Sequence, residues 1–188
     1  MFLFTESPQL KVLWAAEKGR VDLVREMLDE DESLANARDP DGYSPLHRAS
    51  YEGHLSVVRV RLACMLIETS HERFVVLQLL LDRGVDVDCR TNDGWTPLHS
   101  ASRWGQFAVV EELLSRGADI NAQTNGQLTA LHLASADTQK DSEQTLQVLL
   151  KQTNVDLTLT NKVGETAHTV ALRCSKFAHL FDPYVNSS

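Results

Sequence analysis

The sequence has no cluster of lysine and arginine, no long apolar run and few cysteines, and each shortage removes a class of function. Its 18 basic against 26 acidic residues leave a formal charge of −8. Phosphate backbones and anionic bilayers repel such a chain unless basic side chains are gathered locally, and none are, so neither direct nucleic-acid binding nor membrane binding is expected. The opening "MFLFTESPQL" lacks a basic stretch ahead of an apolar one and is not read as a signal peptide. The most apolar segment, "LACMLIE" at 62–68, falls far short of the ~20 residues a bilayer-spanning helix needs. Cys64, Cys89 and Cys174 are odd in number and widely spaced. They are expected to be free thiols in a reducing compartment, cytosolic or nuclear, with no disulfide framework and no zinc site. There is no G-x-S-x-G, no phosphate loop and no pair of His or Cys at metal-ligand spacing. Catalytic residues, a metal and a cofactor are therefore not expected, and the chain is not read as an enzyme.

What the chain does have is repetition. With 43% hydrophobic and 23% charged residues it has the composition of a folded protein. "DGYSPLHRASYEGHLSVV" at 41–58 returns as "DGWTPLHSASRWGQFAVV" at 93–110 and as "NGQLTALHLASAD" at 125–137, with a degenerate copy, "VGETAHTVALR", at 163–173. Each copy runs into an apolar helical stretch and a short turn, such as "EELLSRGADINAQ" at 111–123. Upstream, "LWAAEKGRVDLVREMLDEDESLANAR" at 13–38 keeps the helix pair without the Thr-Pro-Leu-His opening. Thr96 can cap a first helix, Pro97 suits its first turn, and Leu98 and Ala101 share a face. Val109, Val110, Leu113 and Leu114 make the stripe of a second helix, and Gly105 and Gly117 end the two. One such unit cannot bury its apolar face alone; a stack can.

These motifs and the 33-residue step from Thr96 to Thr129 closely resemble the ankyrin repeat. The resemblance implies an all-α solenoid of helix pairs joined by β-hairpin-like turns, about four repeats with degenerate ends. The chain then divides as one domain, 1–188: a degenerate repeat at 9–38, repeats at 39–90, 91–123 and 124–159, and a cap at 160–188. Helix pairs are expected near 9–29, 45–60, 97–116, 130–151 and 167–181. It further implies that His47, His99 and His132 tie helix to hairpin by hydrogen bonds, and that the chain is a monomeric interaction module whose partner is another protein. Within the family, "GWTPLHSASRW" and "ADINAQTNGQLTALHLAS" resemble a narrower group that implies a nuclear or nucleocytoplasmic adaptor in transcriptional regulation. The alternative is a cytosolic scaffold or inhibitor.

Tyr43, Tyr51, Glu52, Trp95, Arg103, Trp104 and Leu128 stand where the repeat pattern leaves the residue free, and by resemblance they face the concave groove. They are either a partner-binding surface, rich in the Trp, Tyr and Arg of binding hot spots, or a cover for apolar surface at repeat junctions. Asn121 and Asn36, each eight residues after a leucine, are similar to hairpin asparagines that are hydroxylated in this family, or else they only hold turns. Ser44 and Thr96 lie 52 residues apart, so 19 residues are surplus. Joining "GHLSVV" to "QLLLDRG" places them at 59–77, as a helix extension, a partner loop or an intron read in frame, with 61–74 projecting from the array. The terminal "FDPYVNSS" reads as a frayed tail or a cap.

Overall fold

Apolar periodicity and capping place the helix pairs, and packing then decides where the surplus residues fall. The computed structural model describes residues 7–51, 69–136, 140–175 and 177–185. Helices α1 (Pro8–Glu17) and α2 (Val21–Glu30) form the first pair, closed by a 3-10 turn at Glu32–Asn36. The second pair is α3 (Pro45–Tyr51) with α4 (Thr69–Asp82), the third α5 (Pro97–Arg103) with α6 (Phe107–Ser115), the fourth α7 (Ala130–Ser135) with α8 (Lys140–Leu150). Helix α9 (Ala167–Cys174), a 3-10 turn at Ala178–Phe181 and α10 (Asp182–Val185) end the array. Among the described residues there is no strand, only an isolated antiparallel bridge between Thr160 and Thr166.

The first helices α1, α3, α5, α7 and α9 pack in succession, with α2 on α4 and α6 on α8 behind them. The core follows the stripes: Leu98 and Ala101 of α5 and Val110 and Leu113 of α6 are fully buried. Burying a side chain of that size contributes about 1.5–3 kcal/mol, and stacking supplies the partner surface that one pair lacks.

Successive hairpin tips are tied directly. The backbone N–H of Asn92 donates to the Asp41 carbonyl at 3.0 Å, that of Asn125 to Asp93 at 3.0 Å, and that of Lys162 to Gly126 at 3.3 Å. The Asn92 and Asn125 side chains add a second donor, to the carbonyls of Pro40 (2.8 Å) and Asn92 (2.9 Å). This approach explains Gly94, whose φ is +77° and whose missing Cβ would lie 2.7 Å from the Asn125 amide oxygen. At the next tip Lys162 replaces the asparagine, and there a side chain is tolerated: Gln127 takes a φ of 57°, which L-residues adopt only at a cost.

One expectation needs correction. Val76 and Leu77, inside the 59–77 window read as surplus, are fully buried in the core. Counted back from Arg83-Gly84 and Arg116-Gly117, Phe74-Val75-Val76-Leu77 take the places of Phe107-Ala108-Val109-Val110. The 19 surplus residues therefore sit at 54–72, ahead of the native second-helix stripe. Residues 52–68, which include Glu52, most of the projecting segment expected at 61–74 and the expected end of the second pair at 60, lie outside the described residues. At the C-terminus Phe181 of "FDPYVNSS" is 1% exposed and stacks on His168 with ring centroids 5.2 Å apart, so this side chain joins the core, whereas Asp182–Val185 are exposed and 186–188 lie outside the described residues.

Candidate functional site

The three repeated histidines form one structural ladder. In each repeat the Nδ1 atom accepts from the backbone N–H and the hydroxyl three residues earlier: Ser44 Oγ at 2.7 Å for His47, Thr96 Oγ1 at 2.8 Å for His99, and Thr129 Oγ1 at 2.7 Å for His132. The opposite nitrogen, Nε2, lies 2.9–3.0 Å from a carbonyl of the following hairpin, that of Trp95, Leu128 or Glu165 respectively. A carbonyl only accepts, so Nε2 carries the proton and each imidazole must be neutral. Burial pushes His47 and His99 down to about 4 and lowers His132 as well. At the array's end Thr169 takes the histidine's place and its hydroxyl meets Thr166 Oγ1 at 3.1 Å. Cys89, where the next repeat has Ala122, lies 3.7 Å from His47 Nδ1, but burial raises its thiol pKa and leaves it a weak nucleophile. These groups hold repeats together.

The aromatic residues divide differently. Tyr51, the last residue of α3, and Trp104, the residue that follows α5, meet edge to face with centroids 4.9 Å apart. The Arg103 guanidinium lies 5.4 Å from the Trp104 ring centroid, within cation–π range. Trp104 remains 39% exposed, although an aromatic of its size is ordinarily withdrawn from water. Tyr43 and Trp95 are half-buried and sit against the histidine ladder, 5.7 Å from His47 and 6.3 Å from His99. Leu128 is half-buried in the next hairpin, where its carbonyl receives His99.

Arg48 belongs in the same description; neither it nor Trp14 was singled out from sequence. Arg48 lies 5.3 Å from the Tyr43 centroid and bonds Asp39 at 2.6 Å and Glu17 at 3.4 Å. Burial raises the Asp39 carboxyl, but Arg48 and the backbone N–H groups of Tyr43 and Asp41 outweigh it and hold the pKa below its ordinary value. Burial raises Tyr43, as do neighbouring Tyr51, Asp93 and Asp39, which places these groups within one electrostatic neighbourhood. Trp14, on α1, is 37% exposed. Trp14, Arg48 and Ser100 each stand five residues before a glycine, at 19, 53 and 105; that common spacing was the available signal.

Asn121 is held at both ends of its amide: Nδ2 donates to the Asn154 carbonyl and Oδ1 accepts from Asp156 N–H, each at 2.8 Å. Asn36 is exposed at the end of its 3-10 turn. Among the described residues no three His, Cys, Asp or Glu side chains are placed to hold a metal, and no helix is long and apolar enough to cross a membrane.

Family models for ankyrin repeats match residues 12–60, 62–124 and 127–162. The chain is 44% identical over 177 residues to ankyrin repeat domain-containing protein 49 of Homo sapiens, covering 94% of this chain and 65% of that protein. It is 50% identical over 58 residues to the Bos taurus protein of that name, 31% of this chain and 24% of that one. The Drosophila melanogaster protein of that name is 43% identical over 51 residues, 27% and 24% of the two lengths. The chain thus spans just under two thirds of the human relative. With the hydroxyl–histidine ladder, the stacked hairpins and these matches, the chain belongs to the ankyrin-repeat family.

Proposed function

We propose that this protein-interaction module is a monomeric, non-enzymatic nuclear adaptor in transcriptional regulation, and that its partner protein docks on the face bearing Tyr43, Tyr51, Trp95, Arg103, Trp104 and Leu128. The observation that carries the docking face is the Tyr51–Trp104–Arg103 cluster, aromatic and cationic yet with Trp104 39% exposed. Large aromatics with an adjacent arginine are the composition of binding hot spots. Trp104 is the anchor; Tyr43 and Trp95 share their area between the partner and the ladder behind them. The exposed carboxylates of Asp41 and Asp93 lie two residues before Tyr43 and Trp95, so a partner segment with basic side chains beside apolar ones fits best. The nuclear assignment rests on the resemblance of residues 94–104 and 118–135 to the narrower group.

Proximity labelling with tagged full-length chain, compared with a Tyr51→Ala/Trp104→Ala variant, tests both parts. Nuclear proteins labelled by the parent chain and lost from the variant are expected. A steady cytoplasmic signal would replace the nuclear adaptor by a cytosolic scaffold, and identical labelling by the variant would remove the docking face.

A further inference from the structure

We propose that Asn125 is a site of spontaneous deamidation whose rate is set by opening of the junction between hairpin tips. Asn125-Gly126 is the one Asn-Gly step in the sequence, and a glycine leaves the following amide nitrogen uncrowded. In the reaction the Gly126 nitrogen, losing its proton, attacks Asn125 Cγ. The new C–N bond forms as the Cγ–Nδ2 bond breaks, and ammonia leaves. Water then opens the cyclic imide at either carbonyl to give aspartate or isoaspartate. No electrons are transferred, and water is the sole co-reactant.

The folded junction tethers both reacting partners. Asn125 is exposed to solvent, yet its Nδ2 donates to the Asn92 carbonyl at 2.9 Å and its Oδ1 is seated against Gly94. The nucleophile is also engaged: Gly126 N–H donates to Thr124 Oγ1 at 3.2 Å. The backbone N–H of Asn125 is itself tied to Asp93. Cγ cannot swing toward the Gly126 nitrogen without breaking the first tie, and the nitrogen cannot be deprotonated without breaking the second. Two hydrogen bonds of ordinary net strength correspond to roughly 30-fold slower conversion in the folded chain than in the open one.

The product loosens the site that made it. A carboxylate at 125 has no N–H for the Asn92 carbonyl, so two acceptors face each other where a hydrogen bond stood. It also adds a negative charge to the exposed tip row of Asp41 and Asp93, the edge that borders the aromatic face. Conversion would therefore mark chains whose hairpin stack has opened.

The test is incubation of the full chain in mildly alkaline buffer, with and without urea, and mass analysis of the peptide carrying Asn125. Conversion is expected in urea, roughly 30-fold slower without it. Thr124→Val, which removes the acceptor of Gly126 N–H, should speed the native reaction and leave the urea rate unchanged, while Gly126→Ala should slow the urea rate. Absence of conversion in urea would show that the step is not a deamidation site. Equal rates with and without urea would show that the junction does not gate it, a result read on the unmodified chain and independent of any variant's folding. Asn125→Asp should lower the urea midpoint; an unchanged midpoint would overturn the loosening.

Discussion

Mild acid should destabilise this protein through His47 and His99. Both imidazoles are depressed by burial from 6.5 to about 4, and both use Nδ1 as an acceptor. The unfolded chain therefore binds more protons than the folded one between those two values, so stability is lost as pH falls through that window and regained as it rises. Going from about pH 7.5 to about pH 5, each histidine removes ~2 kcal/mol, or ~4 kcal/mol for the pair. That is a large share of a typical domain's 5–15 kcal/mol. His47 is faced by Arg38, Asp39 and His99, and His99 by Arg90 and Asp119; these charges are secondary to desolvation. Asp39, held below 3.8, acts only further down the scale, where its stabilising share is lost. Urea unfolding by circular dichroism across this range gives the slope, and NMR of the imidazole protons gives the folded pKa values. A flat stability profile, or imidazoles titrating near their ordinary value, would refute the neutral, carbonyl-tied ladder.

Gln127→Gly should raise stability by about 0.5–1 kcal/mol in urea unfolding, because it relieves a φ of 57°. Gly94→Ala should lower it, since its Cβ would meet Asn125 Oδ1 at 2.7 Å. Ser102→Ala should be neutral or stabilising by up to about 1 kcal/mol, because the Ser102 hydroxyl is buried without a hydrogen-bond partner. The equivalent Ser50 and Ser135 bond the carbonyls of Leu46 and Leu131, so their replacement should cost stability instead. Deleting residues 54–72 should preserve the far-ultraviolet spectrum and thermal midpoint, because Val76, Leu77, Leu80 and Leu81 already supply the second-helix stripe; loss of cooperative unfolding would place the deleted residues in the core.

The fold was legible because each repeat carries its own instructions: a hydroxyl cap, a histidine three residues later, a stripe and a glycine stop. The place of the surplus was not. "HLSVV" at 54–58 and "RFVVL" at 73–77 both present the apolar pattern that begins a second helix, and burial of Val76 and Leu77 chooses the latter. The Tyr51–Trp104 contact follows from repeat positions seen in the sequence. Sequence could not say that Tyr43 and Trp95 lean on the histidines, because that depends on rotamers set by the neighbouring repeat. Trp14 escaped notice because its repeat has lost the Thr-Pro-Leu-His landmark, and Phe181 because polar neighbours hide a residue whose partner, His168, lies 13 positions earlier.

The central claim, that the exposed aromatic cluster binds and the ladder folds, is tested most directly with Trp104→Ala. Affinity for a partner found by proximity labelling and the free energy of unfolding would be measured on the same preparation. Removing a hot-spot aromatic costs about 2 kcal/mol or more of binding energy, so affinity should fall roughly 30-fold. The unfolding free energy should stay within about 1 kcal/mol of the parent chain, because Trp104 lies off the apolar stripe. An unfolded variant, or one that binds as tightly as the parent, would contradict the account.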